Sequence, residues 1–202
     1  MQFIKHRVND LRLLALVDRK WGVEMDIRSR LDSSGRLHVT HDPWVQGDDF
    51  EDWLREFRDL GIQGPLILNV KEDGLEGRIL EILAASEVSN AFFLDTTIPS
   101  LVKWSIVNDE SRFAVRVSKY EPLAGAEVFA GHVRWAWVDC FARQPLSEQT
   151  VKDAAKSFQV CLVSPELQGG SLHEIEAFSH LAPHAAAICT KHPDEWLKCL
   201  GR

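Results

Sequence analysis

The chain has 202 residues, a formal net charge of −7, and 45% apolar and 26% charged residues. This is the composition of an ordinary globular protein, and the length suits one domain, residues 1–202, with a sizeable core. The negative charge excludes nucleic acid or an anionic membrane as the principal partner, but a small anion remains admissible where a bound cation reverses the local field.

No apolar stretch approaches the roughly 18 residues that span a bilayer, so no stable membrane insertion is expected. The opening MQFIKHRVND lacks the apolar core of a secretory signal, which makes the cytoplasm the expected location. Cys140, Cys161, Cys189 and Cys199 are widely spaced without a CxxC pair. They read as free, mostly buried thiols rather than as a disulfide or zinc set.

In chain order, Gln2–Lys5 reads as a strand ending on His6-Arg7, and a helical run follows at Leu11–Arg19. In the next strand, Val23–Ile27, alternation places Val23, Met25 and Ile27 on one face and Glu24, Asp26 and Arg28 on the other. A short extra strand, Leu37–Thr40, leads to His41-Asp42, and Phe50–Leu60 is helical. Leu66–Val70 is a strand in which Asn69 shares a face with the following Lys71.

Strands at Ala91–Leu94, Phe113–Val117, Trp135–Val138, Val160–Val163 and Ala186–Cys189 then follow. They alternate with helices at Leu75–Ala85, Pro99–Val107, Pro122–Phe129, Ser147–Ser157, Leu172–Leu181 and Asp194–Leu200. Strand–helix alternation repeated eight times predicts an α/β fold, a compact TIM (β/α)8 barrel, with a doubly wound open sheet as its rival.

In a barrel the apolar strand faces meet the helices, and the polar set points toward the C-terminal mouth, where such folds build their sites. Glu24 and Asp26 are neighbours on one strand face, and two adjacent anions repel unless a hard cation such as Mg²⁺ or Ca²⁺ bridges them. His6 and His41 are strand-end imidazoles able to act as acid and base, and Arg7 and Lys71 are suited to phosphate oxygens.

Asp95, Arg116, Ser118, Asp139, Ser164, Glu166, Thr190 and Lys191 also end strands, although strand ends reaching water account for each of them singly. His38 has the opposite strand phase from His41, and His132, His173, His180, His184 and His192 lack ligand spacing. Gln168-Gly169-Gly170 is a turn that could also take an anion. Trp44 and Trp53, beyond His41, are candidates for a pocket wall or for core.

His-Arg-x-Asn at 6–9, Gly-Val-Glu-Met-Asp-Ile-Arg at 22–28, Gly-Arg-Leu-His-Val-Thr-His-Asp-Pro at 35–43 and Asn-Val-Lys at 69–71 resemble the glycerophosphodiester phosphodiesterase family. The family lies within the phosphatidylinositol-specific phospholipase C-like phosphodiesterases. The resemblance implies a TIM barrel and a divalent cation held by Glu24, Asp26 and the residue at 69. It implies a small phosphodiester substrate cleaved by His6 and His41, with Arg7 and Lys71 assisting.

The family pattern carries Gly where this chain has Val8, and a carboxylate where it has Asn69. The segment after His41 is also too short for the insertion that often shapes the glycerol pocket. Two further readings stand beside this one. The chain is either a catalytically weak or inactive barrel that binds a phosphorylated ligand or partner, or another TIM-barrel lyase or hydrolase using the same carboxylates.

Overall fold

A computed structural model describes residues 1–30, 32, 34–141 and 143–201. Eight parallel strands surround the core: β1 (Gln2–Lys5), β2 (Gly22–Ser29), β5 (Leu66–Val70), β6 (Ala91–Leu94), β7 (Ala114–Val117), β8 (Trp135–Val138), β9 (Gln159–Val163) and β10 (Ala187–Thr190). They pair in the order β6-β5-β2-β1-β10-β9-β8-β7. Regular pairing stops between β6 and β7, where one parallel bridge, Phe93 to Phe113, and the Phe93 N–H donating to the Arg112 carbonyl at 2.8 Å hold a seam. This is the predicted (β/α)8 barrel.

Between β2 and β5 the chain inserts β3 (Leu37–Val39) and β4 (Asp48–Asp49). The extra strand foreseen at Leu37–Thr40 runs antiparallel to β2, with Ile27 opposite Val39, and so returns toward the barrel mouth. Thr40 N–H donates to the Asp26 carbonyl at 3.0 Å, which fixes where His41 emerges.

The helices form where apolar spacing and caps agree. In α2 (Phe50–Asp59), Phe50, Trp53, Leu54 and Phe57 are buried at i, i+3, i+4 and i+7. Asp49 caps it, accepting from Glu51 and Asp52 N–H groups at 3.0 and 3.3 Å. Trp53 is wholly buried and stacks on Phe57 with centroids 5.8 Å apart, so it is core and not a pocket wall. Asp49→Ala is expected to lower the unfolding free energy by about 1 kcal/mol through the lost cap, measured by urea denaturation.

The remaining helices are α1 (Leu11–Ala15), α3 (Glu76–Ala85), α4 (Ile98–Leu101), α5 (Leu123–Glu127), α6 (Glu148–Ser157), α7 (Ile175–Phe178) and α8 (Pro193–Cys199). Two predicted helices are broken. The run at 99–107 becomes α4 followed by a π-helical stretch, Val102–Val107, beside which the Ser105 hydroxyl donates back to the Leu101 carbonyl at 2.8 Å. The run at 172–181 becomes a 3₁₀ turn, α7 and a second 3₁₀ stretch containing Pro183, a residue that lacks the N–H an α-helix needs.

Register divides the barrel interior into two layers. Glu24 stands opposite Ile67, and Ile67 opposite Phe92; one step higher Asp26 stands opposite Asn69, and Asn69 opposite Leu94. The lower layer is apolar on the far side, where Phe92 and Trp135 stack at 4.5 Å and Cys161 and Cys189 are fully buried. The polar set lies above it, at the C-terminal ends of the strands. All four cysteines are free, three of them buried and Cys199 exposed.

Candidate active site

Glu24 and Asp26 are each 1% exposed although both are carboxylates, so their surroundings must supply donors. Glu24 Oε1 accepts from Asn69 Nδ2 at 2.9 Å, and Oε2 accepts from the Arg7 backbone N–H at 2.7 Å. Arg7 takes φ +55°, a left-handed conformation costing about 1–3 kcal/mol in a non-glycine residue, and its amide points at that oxygen. Burial first, then Asp26, pushes the Glu24 carboxyl up to about 7.

Asp26 is held by Asn9 in a reciprocal pair. Asn9 Nδ2 donates to Asp26 Oδ2 at 2.6 Å, and the Asp26 N–H donates to Asn9 Oδ1 at 2.9 Å. The Lys71 ammonium lies 3.1 Å from Asp26 Oδ1 and 3.5 Å from Asp95 Oδ2. Val8, where the family pattern has glycine, is core at 2% exposure, and its N–H donates to the Glu24 carbonyl at 2.8 Å.

His6 Nε2 lies 3.6 Å from Glu24 Oε2, and Nδ1 is buried without a hydrogen-bond partner. Burial, followed by the charge of Arg7, lowers its pKa to about 4, so the ring is neutral near neutral pH. Asp26 opposes that lowering and Lys191 and Lys71 add to it, so His6 faces both cations and carboxylates.

His41 is 38% exposed, with Nδ1 2.7 Å from Asp42 Oδ1. That contact holds the Asp42 carboxyl below its usual range, and Arg7 contributes to the same lowering, placing Asp42 in the field of the site. Thus β1, β2, β5 and the end of β3 bring His6, Arg7, Glu24, Asp26, Asn69 and Lys71 into one contact network, with His41 anchored beside it through Thr40. Trp44, at φ +67°, projects into water at 82% exposure.

A second set completes the mouth from the other strands. Arg116 pairs with both Asp95 and Asp139. Buried Asp139 also accepts from Trp137 Nε1 at 3.1 Å, Cys140 N–H at 2.7 Å and Gln168 Nε2 at 2.8 Å. Glu166 accepts from Thr190 Oγ1 at 2.5 Å and the Lys191 N–H at 3.0 Å. Asp95, Arg116 and Asp139, singly explicable as wet strand ends, form a chain of ion pairs linked to Lys71 through Asp95, and Glu166 forms a separate hydrogen-bonded group. The Gly169 turn serves to aim Gln168 at Asp139 and shows no anion cradle.

Among the described residues no three His, Cys, Asp or Glu side chains are grouped to hold a metal, and Asn69 stands where the family pattern has a carboxylate. The donor set nevertheless fits a hard cation. Asp26 and Asn69 are register neighbours; Asn69 Oδ1 is buried without a hydrogen-bond partner, and Asp26 Oδ1 has only the Lys71 ammonium beside it. Two carboxylates and an amide oxygen are oxygen ligands of the kind Mg²⁺ and Ca²⁺ take.

No family model matches the chain, and no curated protein matches it. Solved structures do. An Oleispira antarctica phosphodiesterase in complex with the product sn-glycerol-3-phosphate is 16% identical at a TM-score of 0.74, covering 100% of this chain and 97% of its own. A Thermotoga maritima glycerophosphodiester phosphodiesterase is 13% identical at a TM-score of 0.72, covering 97% and 96% respectively. One from Parabacteroides distasonis is 12% identical at 0.62, covering 99% and 96%. The chain therefore has the fold of glycerophosphodiester phosphodiesterases over its whole length. No helix among the described residues is long and apolar enough to cross a membrane.

Proposed function

We propose that the chain is a phosphoric diester hydrolase acting on a small glycerophosphodiester-like molecule. The observation carrying this is a buried Glu24–Asp26 pair with the neutral His6 imidazole 3.6 Å from Glu24 and the Lys71 ammonium 3.1 Å from Asp26. Arg7 and Lys71 beside Asp26 offer an anionic diester positive partners, and the fold shared with enzymes of this activity agrees with it.

In the proposed reaction His6 takes the proton of an attacking hydroxyl, supplied by the substrate beside its phosphate or by water. As the new P–O bond forms, the bond to the leaving alcohol breaks, and His41, oriented through Nδ1 by Asp42, delivers a proton to the departing oxygen. Where the substrate's own hydroxyl attacks, the product is a cyclic phosphate, and water opens it with the two imidazoles in exchanged roles. Arg7 and Lys71 hold the phosphate oxygens as charge builds on them. Glu24, Asp26 and Asn69 would hold a divalent cation, Mg²⁺ or Ca²⁺, whose chemistry is to stabilise that same developing charge.

A second reading, a barrel that binds a phosphorylated ligand without turnover, is favoured by Asn69 alone. Its Nδ2 donates to Glu24, and it brings no charge to the cation. The two readings part in one assay: release of alcohol from bis(p-nitrophenyl) phosphate and glycerophosphocholine, with Mg²⁺, with Ca²⁺ and with chelator. Turnover that chelation abolishes is expected, and no turnover on either diester with either cation would leave the binder. Asn69→Asp, which restores a third carboxylate, is expected to tighten cation binding about tenfold or more by calorimetry.

A further inference from the structure

The seam between β6 and β7 opens into a cavity of about 610 Å³, within the range of small-molecule sites. Above the Phe93–Phe113 bridge the two strands part. Leu94 on one side and Ala114 and Val115 on the other, all buried, become cavity wall, with Leu101 of the α4 side and Ala126 and Phe129 of the α5 side behind them. Ile98 forms part of the wall yet is 63% exposed, an aliphatic lip at the entrance.

The cavity's polar end is shared with the site. Asp95 and Arg116 line it, they pair with each other, and Asp95 Oδ2 lies 3.5 Å from Lys71 Nζ, which is itself 3.1 Å from Asp26. Thr96, also in the wall, has a buried hydroxyl with no hydrogen-bond partner. The chamber therefore begins at the Asp95–Arg116 ion pair, one contact from Lys71 and the carboxylate cluster, passes an unsatisfied hydroxyl and ends at an aliphatic lip.

We propose that this chamber takes an aliphatic chain carried by the diester, making the substrate class a single-chain amphiphile, an acyl or alkyl phosphodiester, in preference to its chainless counterpart. The inference rests on the phosphodiesterase reading above. A chain fits because Leu94, Leu101, Ala114, Val115 and Phe129 make the inner walls, while the charged lining residues Asp95, Arg116 and Glu121 pair with one another at the end nearest the site. An ester or hydroxyl oxygen near the head of the chain would satisfy Thr96. The small residues Gly125 and Ala126 on α5 keep the chamber open, and a Cβ at Gly125 would meet no atom within 4 Å.

The test uses the whole chain in two measurements. One is binding of alkylphosphocholines of graded chain length, kept monomeric, followed by calorimetry. The other is kcat/KM for glycerophosphocholine against its short-chain acyl derivatives. Burial of each added methylene should tighten binding about fourfold until the chamber is full, and kcat/KM should rise in parallel. Gly125→Leu fills the chamber and should flatten both slopes while glycerophosphocholine turnover stays unchanged. Ile98→Asp, on the exposed lip and harmless to the core, should weaken only the long-chain members.

Hydrolysis of chainless and chain-bearing diesters with equal kcat/KM would overturn the inference and leave the phosphodiesterase reading intact. A chain-length slope that survives both substitutions would also overturn it, since the chain would then lie elsewhere. A binding slope abolished by Gly125→Leu, in a protein that hydrolyses no diester, would uphold the chamber and defeat the catalytic reading.

Discussion

His6→Ala is expected to lower kcat/KM for a phosphodiester by about a thousandfold, the scale of losing a positioned general base. His6 qualifies because burial and Arg7 hold its pKa at about 4, so it is ready to accept a proton across the neutral range. The same cause sets the form of the pH profile. Wild-type activity should fall on acidification toward that value, and the residual activity of the variant should lack this limb. Structural damage would look different. The ring's Nδ1 is buried without a partner, so its removal abolishes no hydrogen bond, and the urea midpoint near neutral pH should fall only by the lost packing of the ring. A variant retaining activity within tenfold of wild type would remove His6 from the chemistry.

The second large effect is a pair of opposing slopes in the stability profile, one from Glu24 and one from His6. Glu24 has a folded pKa of about 7, above its ordinary 4.5, so the folded state holds a proton that the unfolded chain releases. Its contribution to stability therefore falls as pH rises through that window. His6 has a folded pKa of about 4, below its ordinary 6.5, so there the unfolded chain binds the extra proton and stability rises with pH.

Where the windows overlap the two oppose each other. In chelator, Glu24→Gln should expose the His6 slope, losing stability on acidification, and His6→Ala should expose the Glu24 slope, gaining it. Each swing should be on the order of 3 kcal/mol or less. Urea denaturation of the three proteins across the window measures it. Two variants that keep the wild-type profile would show that the pair is not coupled to folding in this way.

Much of this was legible in the chain because periodicity and chemistry coincided. The phase of Val23-Glu24-Met25-Asp26-Ile27 alone put the carboxylates inside and the apolar residues against the helices, whereas the pairing of Asp26 with Asn69 emerges only in the structure. What escaped the sequence depends on contacts between distant segments. That Asn9 clasps Asp26 from both sides is written in no local pattern, and neither is the path from Lys71 through Asp95 and Arg116 to Asp139. The only available signal was that each of the latter group ends a strand in a barrel, and that signal is equally present at strand ends that merely reach water. The broken helix near Pro183 and the π-helical stretch after α4 show local backbone bonding overriding an amphipathic pattern.

The unequal closure of the barrel separates two mechanical roles. β1, β2, β5 and β6 make one half-sheet and β7 to β10 the other; the halves share a four-residue ladder on the β1–β10 side and one bridge on the opposite side. Such a ring behaves as a clasp, with a firm joint on one side and a light catch on the other. Every residue proposed for the chemistry belongs to the first half. Breathing at the catch therefore changes how far Asp95 must reach to Arg116, and leaves the spacing of His6, Glu24, Asp26 and Asn69 untouched. A barrel joined in this way can yield to the shape of what it admits without detuning the groups that act on it.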